Sequence, residues 1–120
     1  MLRPTILLAE DDPVIAMDLC WHLESRHLEP VAVDDPGQLL ELCQLNRPTA
    51  VILNVLGHSD WNGWAIGRQL LEEQGIPVFF ITGIPENMPD SPAFNQAGTP
   101  VLHKPFTSLQ LRKCLDHWLA

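Results

Sequence analysis

Five short apolar runs alternate along the chain with longer stretches in which apolar and polar positions mix, the pattern of βαβ units around a parallel sheet. The pattern predicts strands at Thr5 to Ala9, Pro30 to Val33, Ala50 to Asn54, Val78 to Thr82 and Val101 to His103. ILLA, AVIL and VFFI are nearly continuous apolar runs, as expected of strands covered by helices on both faces. The second and fifth runs are weaker and read as edges. The predicted fold class is therefore α/β, a doubly wound five-stranded parallel sheet.

The first helix is expected to start with Asp12 as N-cap and Pro13 at the first helical position and to run to about Arg26. Val14, Ile15, Met17, Leu19, Cys20 and Leu23 are assigned to its buried side. A second helix is predicted from about Gly37 to Leu45. A third runs from Asn62 and Gly63 to a stop at Gly75, with Ile66, Leu70 and Leu71 inward. The last starts at Thr107 or Ser108 and ends near Trp118 or Leu119, with Leu111, Cys114, Leu115 and Trp118 on one side. Pro85, Pro89 and Pro92 forbid a long helix between the last two strands, leaving a short turn from Ser91 to Ala97 closed by Gly98. Residues 1–120 read as one domain without repeat or linker.

With 120 residues, 46% of them hydrophobic and 18% charged, the chain has an ordinary globular composition. Its apolar stretches fall short of the ~18 residues of a membrane span, and Glu10, Asp11 and Asp12 interrupt any secretory signal, so a cytoplasmic location is expected. Fifteen acidic against seven basic residues give a net charge of −8, which removes the footing for direct nucleic-acid contact and leaves no membrane-surface role. Cys20, Cys43 and Cys114 lack CxxC spacing and read as reduced, small apolar side chains. His22, His27, His58, His103 and His117 have no metal-binding spacing and read as surface or partly buried; only His103 falls near the polar strand ends. Trp61 and Trp64 read as loop-packing residues.

In a doubly wound sheet, ligands bind beyond the carboxyl ends of the strands. Glu10 and Asp11 end the first strand, Asn54 the third and Thr82 the fourth, while the fifth runs into Lys104. Each alone has an ordinary structural explanation: acids at a helix start, a strand end, a turn cap, a surface cation. Together they place acidic metal ligands, a hydroxyl and an ammonium at one edge.

With these residues, the chain resembles the receiver domains of two-component response regulators. The likeness rests on ILLAEDDP, RPTAVILNV, FFITG and HKPF, and on spacings of 43, 28 and 22 residues between Asp11, Asn54, Thr82 and Lys104. It implies strand order 2-1-3-4-5. It also implies that position 54 is the phosphoacceptor, where an aspartate attacks a phosphohistidine to form an aspartyl phosphate. Mg²⁺ would be held by Asp11, residue 54 and the backbone carbonyl of Leu56, with Glu10 acting through water. Thr82 and Lys104 would meet the phosphoryl oxygens, and the Lys104–Pro105 bond would be cis.

Asn54 departs from that pattern. An amide has no anionic oxygen to phosphorylate, and a neutral carbonyl weakens Mg²⁺ binding. Val101 occupies a position where receivers commonly carry a switching aromatic, and FFITGIP resembles a Phe-x-Thr-Gly subclass, often stand-alone partners of HWE-type histidine kinases, with Pro85 in place of tyrosine. The reading is a non-enzymatic receiver module that binds a histidine kinase, a phosphotransferase or a downstream signalling protein without phosphoryl chemistry. The alternative is a phosphoryl-accepting regulator in which Asn54 replaces a native aspartate. A flavodoxin-like enzyme is more remote, because AEDDP is the electrostatic opposite of a glycine-rich phosphate loop.

Overall fold

In the computed structural model, which describes residues 3–55, 62–84 and 87–119, all five apolar runs form strands. These are β1 (Thr5–Ala9), β2 (Glu29–Ala32), β3 (Ala50–Asn54), β4 (Val78–Thr82) and β5 (Val101–His103). They form one parallel sheet in the order β2-β1-β3-β4-β5, with the two weakest apolar runs at its edges. The strand beside β1 begins one residue earlier than predicted, because Glu29 already pairs with Thr5; Val33 lies beyond β2, although its N–H still donates to Leu8 O at 2.9 Å.

Strand alternation divides the core into two layers. Val51, Leu53, Val55, Val78 and Phe80 face one layer with Leu39, Cys43, Ile66, Leu70 and Phe94. Ala50, Ile52, Phe79 and Ile81 face the other with Leu19, Leu23, Leu111 and Leu115. Helices α1 (Pro13–Glu24) and α5 (Ser108–Trp118) cover the second layer; α2 (Pro36–Asn46), α3 (Gly63–Gln69) and α4 (Pro92–Ala97) cover the first. Among the described residues no helix is long and apolar enough to cross a membrane.

The caps follow their chemistry. Asp12 accepts from the N–H groups of Val14 and Ile15 at 2.9 and 3.3 Å, and Asn62 from that of Ala65 at 3.2 Å. Thr107 and Gln110 form a reciprocal capping box at α5. The predicted third helix is divided: after Gln69 the chain widens into a π-helical turn, Leu70–Gln74, that keeps Leu70 buried and ends at Gly75 with φ +65°.

The burial of α1 differs from the expectation. Leu19 and Leu23 are buried and Ile15 and Cys20 half-buried, but Val14 and Met17 are 71% and 70% exposed, and Trp21 joins them on the outer face. At 100° per residue, positions 14, 17 and 21 lie opposite the seam of 15, 19, 22 and 23 that meets the sheet and α5. His22 sits in that seam: it is buried, with Nε2 2.9 Å from Ser108 Oγ and 3.5 Å from an Asp18 carboxylate oxygen, and Arg26 pairs with Asp116. Read from the sequence as surface or partly buried, His22 is buried instead, because its partner Ser108 stands on α5, 86 residues away in the chain.

Candidate functional site

Parallel pairing brings the carboxyl ends of β1, β3 and β4 level, since Ala9 pairs with Leu53 and Asn54 with Ile81. The turn leaving β1 carries Glu10 and Asp11 past the sheet before Asp12 starts α1. Lys104 follows β5, and its N–H donates to Thr82 O at 2.7 Å, tying the two strand ends together. The Lys104–Pro105 peptide is cis. Asp11, Asp12, Pro13, Asn54, Gly83, Ile84 and Lys104 line the resulting open cleft.

Four of the predicted residues form one hydrogen-bonded group. Lys104 Nζ lies 3.0 Å from Glu10 Oε1 as an ion pair and donates to Oε2 at 3.2 Å. The same Oε2 accepts from the Asp12 N–H at 3.0 Å and from Asn54 Nδ2 at 3.3 Å. Asn54 Nδ2 also donates to Asp11 Oδ1 at 2.8 Å. The Glu10 side chain has no solvent exposure, and Asn54 is buried.

Burial pushes the Glu10 carboxyl above its ordinary 4.5, against the lowering influence of the Asp12 N–H and the Lys104 ammonium. For Asp11 burial also raises, but bonds from Glu10, its own backbone and Asn54, together with the Lys104 charge, outweigh it and hold the group below its ordinary 3.8. The two adjacent carboxyls are thus shifted in opposite directions.

Thr82 lies at the same edge, beneath the residues that line the cleft. It is fully buried, its Oγ1 accepts from the Ile84 N–H at 3.1 Å, and it does not line the cleft. The carbonyl of Leu56, together with His58, Trp61 and Pro85, lies outside the described residues. Trp64 packs edge-on against Phe80 with ring centroids 4.6 Å apart, and His103 is exposed.

Among the described residues, the side chains expected to hold Mg²⁺ are joined to one another through Asn54. Glu10 is enclosed and committed to Lys104, and Asn54 presents donor hydrogens where a hard cation needs oxygen. Among the described residues no cluster of three or more His, Cys, Asp or Glu side chains gathers to hold a metal. Sequence reasoning identified these residues; it did not anticipate which end of the Asn54 amide faces the acids, a choice dictated by two carboxylates on one side of it.

No protein-family model matches the chain. The sequence is 27% identical over 108 residues to the transcriptional activator protein PfeR of Pseudomonas aeruginosa, covering 90% of this chain and 35% of that protein. It is 24% identical over 110 residues to the DNA-binding response regulator MtrA of Mycolicibacterium smegmatis, covering 92% and 48%. The chain thus spans less than half the length of either relative. Among solved structures, a response regulator receiver protein from Sinorhizobium medicae aligns with a TM-score of 0.73 and 24% identity, covering 98% of this chain and 94% of that one. The N-terminal domain of the nisin resistance regulator NsrR aligns with a TM-score of 0.75 and 23% identity, covering 98% of each. The BeF3-activated DrrB receiver domain gives 0.73 and 19%, covering 98% and 97%. The chain has the response-regulator receiver fold, a five-stranded parallel sheet in the order 2-1-3-4-5, and resembles response regulators along nine-tenths of its sequence.

Proposed function

We propose that residues 1–120 form a single receiver module of two-component signalling that takes up no phosphoryl group and acts through contact with another protein. The observation that carries this reading is the Asn54 amide at the acceptor position, donating to Asp11 and Glu10. Formation of an acyl phosphate needs an anionic oxygen as nucleophile, and an amide supplies none. In receivers a bound Mg²⁺ offsets phosphoryl charge; here the ion binds weakly, with Asp11 as its best remaining ligand. Lys104 would meet an anion at the cleft, and the Thr82 hydroxyl, whose oxygen accepts from the Ile84 N–H, would keep its own O–H to donate.

The proposed partner is a histidine kinase, a phosphotransferase or a downstream signalling protein. The charge of −8 argues against direct contact with nucleic acid, and the module is read as cytoplasmic and non-enzymatic. Glu10, Asp11, Thr82 and Lys104 together also support a second reading, in which Asn54 stands where a phosphorylated aspartate belongs. One experiment addresses both. With acetyl phosphate and Mg²⁺, the protein is expected to keep its intact mass while Asn54→Asp gains one acid-labile phosphoryl group. A phosphorylated Asn54 protein overturns the first reading, and an inert Asn54→Asp variant overturns the receiver assignment.

A further inference from the structure

We propose that the Asn54 amide, with the Lys104 ammonium, takes the place of a divalent cation and holds the acidic pair in an arrangement that does not depend on metal. The inference rests on the receiver reading only for the identity of position 54; its geometry stands on the contacts themselves.

Two carboxylates on adjacent residues at the end of β1 need compensating donors or charge. Glu10 Oε2 accepts from the Lys104 ammonium and from the Asp12 N–H, while Oε1 lies 3.0 Å from that ammonium as an ion pair. Asp11 Oδ1 receives Asn54 Nδ2 at 2.8 Å, and that nitrogen lies 3.3 Å from Glu10 Oε2, so one amide group bridges the pair. A primary amide has two N–H donors at one end and an acceptor oxygen at the other. Facing two carboxylates, the donor end gains charge-assisted bonds, whereas the oxygen end meets like partial charge.

A cation requires the opposite orientation. To coordinate through Asn54, the amide must turn about χ2, giving up both donor contacts and setting its oxygen against the acids until the ion arrives. Metal binding and the amide bridge are therefore mutually exclusive at this residue. An aspartate would reverse the logic: a third carboxylate repels the other two and makes the pocket dependent on a cation. The residue at position 54 thus decides whether the pocket closes by a cation or by the protein's own donors.

Thermal melts in EDTA and in millimolar Mg²⁺, for the protein, Asn54→Asp and Asn54→Ala, separate the possibilities. The protein is expected to melt at the same temperature in both. Asn54→Asp should melt lower in EDTA and regain several degrees in Mg²⁺. Asn54→Ala has neither bridge nor third carboxylate, and is expected to gain a Mg²⁺ response that the protein lacks. An Asn54→Ala variant as indifferent to Mg²⁺ as the protein would show that the lost carboxylate alone explains the indifference, and would overturn the bridge. Should that variant not fold, the side-chain NH₂ resonances of Asn54 decide the matter in the protein itself: unmoved by Mg²⁺ if the bridge holds, shifted if the amide turns to the ion. Phosphoryl uptake by Asn54→Asp tests the receiver reading separately, so either can fail while the other stands.

Discussion

Glu10 and Asp11 are neighbours in the chain and opposite in their titration. Glu10, raised chiefly by burial, keeps its proton in the folded state above pH 4.5 while the unfolded chain releases it, so its contribution to stability declines as pH rises from there through the raised folded value. Asp11 is lowered: its contribution is present above 3.8 and is lost as pH falls through the depressed folded value. Denaturant titrations over a pH series should show Glu10→Gln gaining on the parent as pH rises past 4.5. They should show Asp11→Asn losing ground over the range in which Asp11 ionises; parallel curves would refute both assignments. Gly63 is a second residue on which the site depends, because a Cβ there would lie 2.6 Å from Val55 Cα and 2.7 Å from Asn54 O. Gly63→Ala must push α3 away from the end of β3, at a cost of about 1–3 kcal/mol. A variant of parental stability in denaturant melts would contradict that close approach.

At the scale of the element, α1 has two faces that composition does not distinguish. Leu19 and Leu23 have no exposure, whereas Val14, Met17 and Trp21 form an apolar stripe on the outside. Leu19→Ala is expected to cost about 2–5 kcal/mol and Met17→Ala to stay within about 0.5 kcal/mol, both read from chemical denaturation. Equal losses at the two positions would mean that the outer stripe is covered. The seam between α1 and α5 is polar at both ends, where His22, Ser108 and Asp18 meet and where Arg26 pairs with Asp116, while Phe79 of β4 meets Trp118 of α5 edge-on at 5.2 Å. That mixture fixes how α5, and with it the segment after Lys104, sits on the sheet.

For the whole molecule, the question is whether the cleft reaches the surface formed by α4, β5 and α5. Val101 is a half-buried aliphatic packed among the residues beside Phe80 and Phe94, in place of the aromatic that many receivers use as a lever. Beryllofluoride bonds to a carboxylate oxygen, which Asn54 lacks. Adding it with Mg²⁺ should leave the amide spectrum of residues 87–119 unchanged. In Asn54→Asp, shifts are expected around Gly83 and Lys104 without spreading along α4 and α5. Shifts that run through those helices would show that the cleft governs the surface by a route other than residue 101.

Short apolar runs and helical patterns, caps at Asp12 and Asn62, and the prolines before α4 were enough to determine five strands, the helices between them and the polar strand ends, because these are local properties of the chain. The resemblance in the motifs added the strand order. Tertiary structure decided the rest. Which side of α1 is buried depends on where α5 lies, and the partner of His22 is on that helix. Whether Asn54 shows oxygen or nitrogen to the cleft depends on two carboxylates that parallel pairing brings to it from another strand. The sequence alone determined which groups gather at the edge of the sheet; their orientation follows from neighbours that only folding supplies.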